Sequence, residues 1–67
     1  MNARDIDAAA SVTNAATVKL LDLSVAIHDG RENREMAKHA AHACGLAIVA
    51  LQHVRPWLQR LARGRRG

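Results

Sequence analysis

The sequence predicts an all-α chain: an antiparallel helical hairpin that dimerises into a four-helix bundle. Three observations predict it. Alanine and leucine dominate where β-branched and aromatic residues would mark strands, and the 67 residues include no Phe, no Tyr and one proline, which favours helix. Apolar and small residues recur at alternating spacings of three and four along two long stretches, the period of a helix face. Between them lies His28-Asp29-Gly30-Arg31-Glu32-Asn33, a connection so short that the helices must return antiparallel. So small a chain has room for one domain, placed at residues 1–63, followed by a disordered basic tail at 64–67.

In the first helix, Asn2 followed by Asp5 resembles a capping arrangement, and Asp5 and Asp7 suit the positive end of a helix dipole. Its face runs through Ile6, Ala9, Thr13, Ala16, Leu20, Leu23 and Ile27. Ser11, Val12, Thr13 and Asn14 are weak helix formers, so the first turns are expected to fray or the helix to begin later. Gly30 suits the left-handed position that ends a helix. Asp29 with Glu32 has the form of a capping box, and Asn33 is the alternative cap for the second helix.

The second helix repeats Ala37, Ala40, Cys44, Ala47, Leu51, Val54, Leu58 and Leu61 at the same spacing. Gly45 should weaken it by roughly 1 kcal/mol relative to alanine. Pro56 lacks a backbone donor and clashes with the preceding turn, so a kink, or a break with a short third helix from Pro56 to Ala62, is expected.

Each helix carries more apolar surface than one partner can cover. A second stripe on the first helix, Val18, Leu21 and Val25, stands well away from the Leu20, Leu23 and Ile27 stripe, and Ile48 flanks the main face of the second helix. One stripe can close the hairpin and the other can meet a second copy, so Val18, Leu21, Val25 and Ile48 are the expected dimer interface.

Charge is divided along the chain. The six acids all lie at or before Glu35, where four cations offset them to -2; Lys38 and the arginines at 55, 60, 63, 65 and 66 give +6 afterwards, for a formal net charge of +4. Such asymmetry points to an acidic partner or to a chain that pairs with itself. The expected surface for another protein is Trp57, Leu46, Val49, His53, Arg60 and Arg63, a mixed stripe with one large aromatic, few acids and arginine at its rim. The alternative is a nucleic-acid surface of Arg34, Lys38, Arg55, Arg60 and Arg63, which would act through phosphate attraction.

Other chemistries find little support. Glu35, His39 and His42 have a spacing that could hold a metal, but no third strong ligand is set by the sequence, and a partner-facing histidine row is the preferred reading. No metal or cofactor is therefore expected. Ser11 and Ser24 have no catalytic motif around them, no glycine-rich phosphate loop occurs, and Cys44 falls on the packed seam, where a thiol is inert. The chain is not expected to be an enzyme. A single cysteine fits a reducing, cytoplasmic setting, the acidic start argues against a signal peptide, and the longest apolar run, Ala43 to Leu51, is too short to span a bilayer. No membrane partner is expected.

The Asp29-Gly30 turn, the seam from Ala37 to Leu61 and the doubled stripes of the first helix resemble, over roughly residues 3–62, the small dimeric helical hairpins of plasmids and phages. One is the plasmid RNA-binding modulator Rop; others are phage-encoded antiactivators that bind quorum-sensing regulators or pilus assembly ATPases of the host. Type III secretion co-chaperones share the same hairpin format. The resemblance is one of layout and transfers no functional residue. It implies a homodimer that inhibits a partner protein by stoichiometric occlusion, with a phage-encoded inhibitor of a transcription regulator as one form. A Rop-like nucleic-acid-binding module is the alternative.

Overall fold

The computed structural model describes residues 2–64, which form two helices, α1 (Ala3–His28) and α2 (Arg34–Gly64), packed against each other as an antiparallel hairpin. The molecule is a rod of 52 × 19 × 15 Å. Its radius of gyration of 15.6 Å exceeds the roughly 11 Å of a compact domain of this length. With one helix–helix interface and no third layer, each helix turns most of its circumference outward.

Asn2 caps α1 as a full capping box. Its side-chain oxygen accepts from the backbone N–H groups of Arg4 (2.9 Å) and Asp5 (3.3 Å), and the Asp5 carboxylate accepts from the Asn2 N–H at 3.2 Å. The helix begins at Ala3 and runs through Ser11–Asn14 without the expected fraying. Val12 and Thr13 are half-buried and Ala9 and Ala16 buried, so packing overrides weak local propensity.

The turn is a Schellman motif. Gly30 has φ 68°, its N–H donates to the Ile27 carbonyl at 3.1 Å, and the Arg31 N–H donates to the Ala26 carbonyl at 2.7 Å. Of the two caps anticipated for α2, Asn33 serves: its side-chain oxygen accepts from the Met36 N–H at 2.9 Å. Asp29 instead pairs with the Arg31 guanidinium at 3.0 Å. Among the described residues there is no third helix, because α2 continues unbroken past Pro56 to Gly64. Val54, before the proline, is buried and Trp57, after it, is half-buried, whereas Pro56 and Gln52 are exposed. Packing therefore holds both sides of the proline, and Gln52, whose carbonyl loses its helical donor to the proline, is an exposed residue. The helix takes in Gly64, the first residue of the expected tail; residues 65–67 lie outside the described residues.

The core differs from the expected seam in an instructive way. Its buried residues are Ala9, Ala16 and Ala26 on α1 and Ala40, Ala43, Ala47 and Val54 on α2. The columns Ala9/Ala16/Leu23 and Ala40/Ala47/Val54 were anticipated. On α2, however, the second column of the seam is Met36, Ala43, Ala50 and Trp57, all buried or half-buried. Leu51, Leu58 and Leu61, expected inside, stay 42–47% exposed, and Ala37 is exposed as well. On α1, Leu20 and Ile27 are likewise exposed, and Ala26 is buried in their place. Alanines let two helices approach closely along their length, and that approach moves the leucine columns to one margin.

Among the described residues, α1 is long and apolar enough, by length and composition, to cross a bilayer. The sequence expectation weighed only the run from Ala43 to Leu51 and missed it, because polar residues such as Thr13, Asn14 and Lys19 interrupt the apolar ones in α1.

Gly30 in the turn and Gly45 within α2 predict opposite outcomes. Gly30→Ala places a Cβ at positive φ and is expected to destabilise the fold by about 1–2 kcal/mol. An added Cβ at Gly45 meets nothing within 4 Å, so Gly45→Ala is expected to stabilise by about 1 kcal/mol. Chemical denaturation followed by circular dichroism reads both.

Candidate functional site

No enclosed cavity with convergent polar groups is present among the described residues; the candidate sites are surfaces. At about 100° per residue, the two helices turn their remaining side chains to two sides of the hairpin. On one side runs an open groove of ≈ 460 Å³, with Ile6, Thr13 and Thr17 of α1 facing Leu51, Val54 and Leu58 of α2. The displaced columns, Leu20 and Ile27 on α1 and Cys44, Leu51 and Leu58 on α2, lie on this side. Cys44 is half-buried against the Ala16, Ala43 and Ala47 cluster.

Thr13 gives the groove its one polar anomaly. Its hydroxyl oxygen is buried and has no hydrogen-bond partner, while its backbone carbonyl accepts from the Thr17 hydroxyl at 3.0 Å. Such orphaned groups are uncommon and call for a physical explanation.

The other side holds the residues expected to meet a partner protein. Leu46, Val49, His53, Trp57 and Arg60 fall within roughly 80° of one another on α2, and Leu46 (51%) and Val49 (65%) are widely exposed. Arg63 lies further round, near the end of the helix. Trp57 belongs to the margin of the helix–helix seam and is half-buried. Part of its surface therefore covers the end of the hairpin, and the edge left outside is available to a partner.

The four residues assigned to the dimer interface do not share a surface. Val18 and Val25 stand on the back of α1, away from α2, whereas Ile48 projects on the groove side of α2 and Leu21 toward the groove side of α1. All four are exposed. Their periodicity on single helices was legible, but not which side of the hairpin each would occupy.

The cations of the nucleic-acid alternative fall into two groups at opposite ends of α2, Arg34 and Lys38 near the turn and Arg55, Arg60 and Arg63 near the end. Seventeen residues, about 25 Å of helix, separate Lys38 from Arg55. Lys38 is also drawn to Glu35, at 3.7 Å, and His39 approaches the same carboxylate at 3.9 Å. Among the described residues no three His, Cys, Asp or Glu side chains converge as a metal site would need.

Replacing Thr13 by valine removes the unpartnered hydroxyl and keeps the β-branched shape. Thr13→Val is therefore expected to be neutral or to stabilise by up to about 1 kcal/mol. A loss of stability in a denaturant titration would mean that the hydroxyl is engaged after all.

No family model, no curated protein and no solved structure matches the chain.

Proposed function

We propose that the chain is a non-catalytic binding module of the cytoplasm: a homodimeric hairpin that acts as an adaptor or inhibitor by covering a surface of another protein in fixed stoichiometry. The observation that carries this reading is the inversion of its apolar side chains. The hairpin interface uses six alanines and one valine, while eleven Val, Leu and Ile side chains remain at least 42% exposed. Single exposed apolar residues are ordinary, but a rod with most of its large ones outside has the surface of a protein that binds.

The face of Leu46, Val49, His53, Trp57 and Arg60 is the site for that partner. It combines apolar centre, aromatic edge and cationic rim, a composition suited to a protein surface with acidic groups around an apolar patch. The layout shared with phage-encoded antiactivators directs the search first to transcription regulators. The separation of the cations into two end groups, with Lys38 beside Glu35, disfavours a nucleic-acid role, since a phosphate backbone is best followed by a continuous stripe.

Immobilised wild-type chain is expected to retain one protein at near-equimolar amount from a lysate of its source organism, at low and at moderate salt. The double variant Leu46→Lys, Val49→Lys should lose at least tenfold of that retention while keeping its helical content. Retention of RNA or DNA that falls steeply with salt, and is lost on Arg60→Ala, Arg63→Ala, would transfer the function to nucleic acid. Recovery of nothing above background would sink the adaptor reading.

A further inference from the structure

We propose that the groove side of the hairpin is the surface on which a second copy of this chain docks, leaving the Leu46, Val49 and His53 side free for the partner. This rests on the homodimer of the preceding reading and assigns it a face. Each helix carries two neighbouring heptad seams. One, built on alanine, closes the hairpin. The other is displaced to the groove side on both helices at once: Leu20 and Ile27 on α1, Ile48, Leu51 and Leu58 on α2, each 45–55% exposed. Two seams offset to the same side are what a helix needs to touch two neighbours in a four-helix bundle, one within its own hairpin and one across.

Charge agrees with this placement. On the groove side of α1, the columns beginning at Ala3 and Ile6 and repeating every seven residues contain no ionisable side chain as far as Ile27. On α2 the corresponding columns, those of Ala37 and Arg34, contain two charges, Arg34 at the turn and Arg55. Of the charged side chains of α1, Arg4, Asp5, Lys19 and Asp22 turn away from the groove side, and Asp7 stands at its outer margin, seven residues before the groove-lining Asn14. A charge-poor face laid against its own copy has few ions to desolvate, both of them long arginines able to reach water at the rim, and a two-fold axis makes the same patch serve both chains.

Area agrees too. The long side of the rod, 52 × 19 Å, offers at most about 1,000 Å² per copy, and a pair that used two thirds of it would cover about 1,300 Å², within the range of specific protein interfaces. The described hairpin buries only six alanines and Val54, and a chain below about 70 residues ordinarily needs added support. A second copy provides it. A lipid surface fits less well, because interfacial helices use aromatic anchors and the one tryptophan stands on the other side of the seam.

Sedimentation equilibrium on the full chain tests the assignment. Wild type is expected at twice the monomer mass at micromolar concentration. Leu51→Lys and Leu20→Lys should weaken the dimer at least tenfold, and Val49→Lys and Val18→Lys should leave it unchanged. Should the groove variants unfold, thiol labelling replaces them: in a Cys44→Ala background, Leu51→Cys should become protected from maleimide as concentration rises, and Val49→Cys should not. A dimer that Val18→Lys disrupts and Leu51→Lys spares would overturn the face while sparing the dimer. A folded wild-type monomer, or one that binds phosphatidylglycerol vesicles without dimerising in buffer, would overturn both. Capture of the partner protein is read separately from all of these.

Discussion

The structure depends on how closely two helices can lie when alanine lines both. A leucine-lined seam holds helices apart and fills the space between them; an alanine-lined seam brings the backbones together and leaves little volume to fill. Here the interface consists of Ala9, Ala16 and Ala26 against Ala40, Ala43 and Ala47, closed at one end by Val54. Close approach supplies contact but little apolar burial per residue, since alanine hides far less surface than leucine. The larger side chains are displaced to the margins and backs of the helices. A fold that saves its large apolar groups for the outside is stable to the extent that something covers them.

The ends of the helices are built with more redundancy than the middle. α1 starts in a reciprocal capping box and ends in a Schellman turn with glycine at positive φ, and α2 starts at an asparagine cap. These local devices set where each helix begins and stops, and so fix the register in which the two alanine seams meet. No ion pair links α1 to α2 among the described residues; the pairs present are local, between Asp29 and Arg31 and around Glu35. Register therefore rests on the turn and on shape. The division of charge along the chain acts elsewhere. Antiparallel packing sets the acidic start of α1 beside the arginine-rich end of α2 and leaves one long side of the rod nearly free of charge.

Much of this was legible in the residues. The helix boundaries near Asn2, Gly30 and Asn33 follow from capping chemistry, which is local, and the hairpin follows from the brevity of the loop. Whether α2 would continue through Pro56 or break there was not legible. Proline breaks a helix by local sterics, and only the burial of Val54 and Trp57 on either side of it shows why the helix survives. The partner-facing stripe of Leu46, Val49, His53 and Arg60 does share one face, since that grouping needs nothing beyond the helical period. How far Trp57 stands from the seam depends on how the seam is rotated, which the period alone does not give.

By itself the sequence determined that this chain is helical, where its helices cap and turn, and that their apolar groups exceed what two helices can cover, because those properties arise from neighbouring residues and from counting. Tertiary structure alone decided which heptad columns face inward. Ala40, Ala47 and Val54 fit either choice, with Met36, Ala43, Ala50 and Trp57 or with Ala37, Cys44, Leu51 and Leu58 as the second column. Hydrophobicity favours the latter set and close packing of the helix backbones the former. The choice between them is a rotation of α2 of about 50°, and a period is blind to a rotation of its own origin until a second helix lies against it.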